Sequence, residues 1–170
     1  VSWMVSPVLL SHSFGVKAAR RGNTHQFFAP VSVYPTSDGF IYLAVGNDRQ
    51  WEALTGQQGF ESLANEKYKH NAGRIAAVDE LNGQLSAIFK NRSTAEMIEM
   101  CNKISVPVSR VNTVPQVCAD PLIASQLVKA RDSRSGIEIA IPPPAVISAR
   151  LKEKGLTLGF PPRLGEHNES

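Results

Sequence analysis

Residues 19–51 read ARRGNTHQFFAPVSVYPTSDGFIYLAVGNDRQW, and the fold class turns on how its two apolar runs are joined. Phe27–Val33 and Gly39–Val45 are rich in β-branched and aromatic residues, and the intervening YPTSDG supplies Pro, Ser, Asp and Gly. Proline presets the first corner of a turn, Ser and Asp hydrogen-bond the local backbone, and Gly tolerates positive φ. The two runs are therefore predicted to form a β-hairpin. Asn47 or Asp48 can then cap a helix that runs through Trp51 and Leu54 and stops near Gly56. Just before the hairpin, Gly22, Asn23, Thr24, His25 and Gln26 present a glycine, an amide, a hydroxyl, an imidazole and a second amide in succession. Such a loop either lines a binding site or is a solvated turn.

Outward from this stretch, residues 2–19 read as a helix with Pro7 early and Trp3, Val8, Leu9, Leu10 and Phe14 spread around its circumference. A helix that greasy requires partners on more than one side. Downstream, Arg74–Lys90 carries Ile75, Val78, Leu81, Leu85, Ile88 and Phe89 at helical spacing, which gathers them on one face. STAE at 93–96 is a capping box, and the helix it opens buries Ile98, Cys101 and Ile104, making Cys101 a core residue. VPVSRVNTVPQVCADP (106–121) reads as a short extended segment and then a short helix from about Pro115. Leu127–Ala130 and Ile137–Ile141 flank RDSRSG as a second hairpin, which Pro142, Pro143 and Pro144 end because proline cannot donate to a ladder. The polar LGFPPRLGEHNES beyond reads as extended tail. The fold class is α+β: two hairpins packed with several helices, with an arm at each end.

Composition narrows the function. A chain of 170 residues can bury one sizeable core, and 42% hydrophobic with 19% charged residues places it among globular proteins. The net charge of +3 is mild and the basic residues are scattered, so no nucleic acid partner is expected. Cys101 and Cys118 stand apart, which suits a reducing cytoplasm rather than a disulfide scaffold. The histidines His12, His25, His70 and His167 lack metal-ligand spacing. The opening VSWMVSPVLLSHSFG lacks a basic n-region and is too short to span a bilayer, so neither a signal peptide nor a membrane partner is expected. An apolar start without Met suggests the middle of a longer protein, or a frame beginning at a non-standard codon.

Catalytic motifs are absent from the sequence: no GxSxG elbow, HExxH, P-loop or GxGxxG after a strand. Of the five aspartates, Asp38 lies in a turn, Asp48 near a helix start, Asp79 on a polar helix face and Asp120 before Pro121. Each has a structural reading, and none brings an acid–base partner in sequence.

RRGNTHQFFAPVSVYPTSDGFIYLAVGNDRQW resembles the family III CoA-transferases, the group of formyl-CoA, carnitine and bile-acid CoA-transferases and the related acyl-CoA racemases. The likeness continues through Arg74 and its helix and through STAEMIEMCNKISVPVSRVNTVPQVCADP, and it ends at LGEH (164–167), similar to the closing motif of those proteins. The resemblance implies a polypeptide more than twice this length, with a large Rossmann-like domain, a small α+β domain and two interlocked chains. It implies transfer of CoA from an acyl-CoA to a small carboxylic acid through intermediates on an aspartate of the large domain. No aspartate here matches that nucleophile. Residues 1–21 would be a linker helix, 22–141 the small domain, and 142–170 a tail returning toward an N-terminal large domain absent from this chain. The implied assembly is a homo-oligomer, a homodimer in the family. No cofactor is implied, since the coenzyme A thioester is substrate. Gly22, Asn23, Thr24, His25 and Gln26 fall where some members have a glycine-rich loop that closes over the active site, and they become the expected substrate-binding residues. This chain keeps Gly22 and Gln26 but has Asn23, Thr24 and His25 between them. Alone it is expected to be inactive. A non-catalytic, truncated remnant that self-associates and a racemase of the same family stand as alternatives.

Overall fold

The computed structural model describes residues 5–17, 19–142, 159–166 and 168. Residues 2–4 and 18 of the predicted N-terminal helix, Pro143 and Pro144, most of the predicted tail and His167 lie outside them. Contacts divide the chain into two units, Val1–Val111 and Asn112–Ser170.

The first hairpin forms. Strands β1 (Val31–Pro35) and β2 (Phe40–Ala44) pair antiparallel with Val33 opposite Tyr42, and the Thr36 N–H closes the turn on the Gly39 carbonyl. The first strand begins later than the apolar run at Phe27 suggests, because the backbone before it is engaged elsewhere. Ala29 N–H donates to Asn71 Oδ1 at 3.1 Å, the Phe27 carbonyl accepts from Asn71 Nδ2 at 2.8 Å, and Pro30 has no N–H. Only an extended segment is predicted at 106–110; the structure makes Val108–Arg110 a third strand, β3, antiparallel to β2, in the order β1-β2-β3.

Helix α2 (Asp48–Thr55) is capped by Asn47, whose side chain accepts from Gln50 N–H at 2.9 Å, so Asp48 is left for tertiary contacts. After a short 3₁₀ turn at Glu61–Leu63, the single helix predicted over 74–90 is two helices, α3 (Asn71–Ala76) and α4 (Val78–Phe89), parted at Ala77. The two pieces are anchored to different parts of the unit. Asn71 ties α3 to residues 27–29, whereas α4 packs on β1 and takes Tyr34 Oη–H on Asn82 Oδ1 at 2.5 Å. Helix α5 (Thr94–Lys103) has the predicted capping box between Ser93 and Glu96. Its start is also held by Asp38, which accepts from both the N–H and the hydroxyl of Thr94 at 2.7 Å, so this turn residue staples the hairpin to a helix.

Alternation along the strands sends Tyr34, Ile41 and Leu43 into the core, where they meet Leu81, Leu85 and Phe89 of α4 and Met97 and Cys101 of α5. Tyr34 and Phe60 each pack a ring against Phe89, at 5.0 and 5.6 Å between centroids. Cys101 is fully buried, as predicted, and burial pushes its thiol up to about 11, which makes it unreactive at neutral pH. The N-terminal helix, predicted over 2–19, is α1 (Val5–Phe14). Gly15 ends it with φ +65°, and Val16 N–H turns back onto the Leu10 carbonyl.

In the second unit, α6 (Val114–Ala119) and α7 (Pro121–Ala124) each begin with a proline in the first turn. Strands β4 (Val128–Arg131) and β5 (Glu138–Ile141) make the second predicted hairpin. The Asp132 carboxylate organises its turn, accepting from Ser135 and Arg134 and pairing with Arg163 at 2.9 Å.

One charged residue sits at the centre of the first unit. Arg74 is completely buried, with Nε on the Ala29 carbonyl, Nη1 on the Tyr68 and Lys69 carbonyls, and Nη2 on Asp48 at 2.7 Å. Its guanidinium lies 5.3 Å from the Trp51 ring centre. Arg74→Met removes the donors from the Ala29, Tyr68 and Lys69 carbonyls around a fully buried side chain, while the half-exposed Asp48 can turn to water, so it is expected to cost about 3 kcal/mol by urea denaturation. Arg74→Lys, which keeps the charge but loses the planar fork, should recover only part of that. The hydrogen bonds from Arg74 and then His70 hold the Asp48 carboxyl below its ordinary range. A carboxyl with a depressed folded value adds stability that is present above its unfolded pKa of about 3.9 and is lost as pH falls through the folded value. Urea midpoints should therefore drop below about pH 4, and Asp48→Asn should flatten part of that drop.

Candidate functional site

The Gly22–Gln26 loop is built on a tight turn. Arg21 offers its carbonyl to both the N–H and the hydroxyl of Thr24, at 3.1 and 2.8 Å. Gly22 occupies the corner at φ +60°, a left-handed conformation in which any other L-residue would be strained. His25 follows with Nδ1 accepting from Phe27 N–H at 3.1 Å, and its ring stacks on Phe28 at 5.1 Å. Because Nδ1 serves as acceptor, the neutral ring carries its proton on Nε2.

The base of this loop is fixed from below. Asn71 grips residues 27 and 29, and its own backbone N–H donates to Asp48 Oδ1 at 3.0 Å. Asp48 in turn holds Arg74, so the loop stands on the same network that closes the core.

Gly22, Thr24, His25 and Gln26 are brought together along one side of a cleft of about 410 Å³. Ser6, Pro7 and Leu10 of α1 line it as well, with Val16, Ala19, Arg21 and Phe27 completing the lining. Asn23 is exposed and lies outside that lining. Arg21 is the residue that sequence reasoning missed: it stands immediately before the loop, as one of the scattered basic residues. The cleft combines apolar residues with a guanidinium, an imidazole, two hydroxyls (Ser6 and Thr24) and an amide, and among the described residues no carboxylate or thiol lines it. That set can bind and orient an anionic or acyl group, and among the described residues it includes no carboxylate or thiol to attack one.

Four of the five aspartates are engaged elsewhere, and the fifth, Asp79, is exposed in the first turn of α4. Asp38 serves α5, Asp48 serves Arg74, Asp120 caps α7 through Leu122 N–H, and Asp132 serves its hairpin turn. Among the described residues no group of three or more His, Cys, Asp or Glu could hold a metal ion, and no helix is long and apolar enough to cross a membrane.

The model of CoA-transferase family III matches residues 1–168. The chain is 31% identical to the succinate–glutarate CoA-transferase of Agrobacterium fabrum, across 87% of this chain and 37% of that protein. It is 28% identical to the succinyl-CoA:glutarate CoA-transferase of Homo sapiens, across 96% of this chain and 37% of that protein. Among solved structures, a CaiB/BaiF family protein from Brucella suis is similar with a TM-score of 0.69 at 28% identity, over 87% of this chain and 39% of the other. A Mycobacterium tuberculosis protein at 18% identity shares the fold, with a TM-score of 0.65 over 99% of this chain and 43% of its own. The chain thus spans less than two-fifths of the length of these two curated relatives. With its mixed fold and a family match across nearly every residue, the chain belongs to CoA-transferase family III.

Proposed function

We propose that this chain is the C-terminal, small-domain part of an enzyme that moves CoA from an acyl-CoA thioester to a small carboxylic acid. In this reading residues 1–21 are a linker helix, 22–141 the small domain, and 142–170 a return toward a large domain that supplies the nucleophilic aspartate and most CoA contacts. The Gly22–Gln26 loop covers the reacting acyl group and keeps water from its activated intermediates. The working assembly is a homodimer in the cytoplasm, a compartment that suits the two unpaired thiols Cys101 and Cys118.

The observation that carries this reading is the family match over residues 1–168 in a chain spanning 37% of relatives named as CoA-transferases. The cleft adds chemical support, since among the described residues it holds hydrogen-bonding groups and a guanidinium but no carboxylate.

The test is complementation. This chain alone, and this chain coexpressed with the N-terminal part of a family III relative, are assayed for CoA exchange between succinyl-CoA and glutarate. No turnover is expected from the chain alone, and exchange is expected from the assembled pair. Transfer by the isolated chain, or an assembled pair that stays inert, would overturn the proposal. Deuterium uptake at the α-carbon of an acyl-CoA without any acceptor acid would instead assign the racemase chemistry of the family.

A further inference from the structure

Residues 27–29, between the loop and β1, are held by side chains of α3 that lie more than forty residues away in sequence. The Asn71 amide reads both sides of Phe28: Oδ1 accepts from Ala29 N–H at 3.1 Å, and Nδ2 donates to the Phe27 carbonyl at 2.8 Å. A neighbouring parallel strand would make the same pair of bonds, and here one planar amide supplies both. Arg74 stands three residues further along α3, on the same face of the helix, and adds Nε on the Ala29 carbonyl. The backbone around Phe28 is thereby fixed while its ring stays exposed, and the His25 ring stacks on it with 5.1 Å between centroids. His25 Nδ1 also takes Phe27 N–H at 3.1 Å. His25 is thus placed by Phe27 and Phe28, and these are placed by Asn71. Asn71 is itself oriented, because its N–H donates to Asp48 Oδ1 at 3.0 Å. It is absent from the lining of the cleft and reaches the loop only through the backbone it holds.

We infer that Asn71 is a positioning residue for the Gly22–Gln26 loop: its two-pronged clamp on Phe27 and Ala29 holds the stretch on which His25 stacks, and so fixes where the loop sits. Two roles separate on α3. Arg74 is fully buried and satisfies the core, whereas Asn71 is half-buried and its side-chain bonds go to residues 27 and 29 alone. Without the clamp, the base of the loop moves with its tip. In the transferase reading, on which this consequence rests, a loosened loop admits water to the activated acyl group. Water then attacks the acyl carbon of the thioester, the carbon–sulfur bond breaks, and the products are the free acid and the thiol of CoA.

The experiment reads the loop and the chemistry separately. In the isotopically labelled chain alone, Asn71→Ala is expected to speed hydrogen exchange at the Ala29 amide about tenfold or more, while amides of the β1–β2 ladder keep their protection. The ring-current shift that Phe28 imposes on the His25 ring should be lost with it. Asn71→Asp keeps an acceptor for Ala29 N–H but loses the donor to Phe27, so it should fall between the parent and Asn71→Ala in both signals. It decides the matter if the alanine variant does not fold. In the chain assembled with the N-terminal part of a family III relative, the fraction of succinyl-CoA hydrolysed rather than transferred to glutarate should rise several-fold in Asn71→Ala. That ratio does not depend on how much of the enzyme is folded. Tyr34→Phe is the control: it removes the hydrogen bond from β1 to Asn82 of α4 and should leave the ratio at the parent's value. An Ala29 amide and a His25 ring unaltered in both Asn71 variants would overturn the inference. So would an active assembly whose hydrolysed fraction is unchanged in them, or rises equally in Tyr34→Phe. If the assembled parent is inert, the transferase reading falls, and the loop signals by themselves uphold or overturn the clamp.

Discussion

The buried guanidinium of Arg74 is the constraint on which the first unit depends. Removing that charge from water is tolerable only if its N–H groups find acceptors. Three of those acceptors are backbone carbonyls, at Ala29, Tyr68 and Lys69, and the fourth is Asp48 at the start of α2. Three stretches of chain, at Ala29, at Asp48 and at 68–74, must therefore arrive together before the ion is satisfied. Such a requirement adds little net stability over a hydrophobic substitute, but it penalises any arrangement in which one segment is misplaced. The approach is close enough to dictate a neighbour: a Cβ on Gly73 would lie 2.1 Å from the Lys67 carbonyl oxygen, so only glycine fits there.

From that ion the constraint spreads to the loop. Asp48 uses one oxygen for Arg74 and for Asn71 N–H, while the Asn71 side chain takes both the Phe27 carbonyl and the Ala29 N–H. His25 then closes on Phe27 N–H. Core and cleft thus share one hydrogen-bonded path, and the base of the loop inherits the rigidity of the core. The tip is different, since Gly22 and Asn23 are held only through the Arg21–Thr24 turn. A fixed base beside a tip held only by its own turn suits the covering role proposed for this loop.

Local chemistry made much of this legible in the sequence, and long-range contact hid the rest. Both hairpins and the Ser93 capping box were readable because turns and caps are decided by a few adjacent residues. Strand β3 was not, because three residues carry too short an alternation and its strand identity comes from pairing with β2. The late start of β1 was hidden for the same reason: Asn71, which takes its backbone groups, lies more than forty residues away. Arg74 stood in line with Ile75 and Val78 at the head of an apolar pattern, yet no local rule places a charged side chain in a core. At the site, the polar run 22–26 was visible as composition. Arg21 was not, because membership of a cleft depends on where α1 lies, and sequence spacing does not specify that.

The division of labour proposed for the chain has a physical basis in its carboxylates. A nucleophilic carboxylate needs lone pairs that are not already committed to strong donors, since hydrogen bonds that stabilise the anion also blunt its attack. Asp38, Asp48 and Asp132 are the opposite kind. Each accepts several bonds from backbone, hydroxyl or guanidinium groups, and each is held below the ordinary carboxylate range by them. They are anions spent on architecture. The cleft, by contrast, concentrates donors and a cation with no anion in its lining. A surface so arranged stabilises a carboxylate that is brought to it and cannot readily supply one of its own. Recognition on this chain and attack from a separate domain is therefore the partition that the electrostatics of its described residues favour.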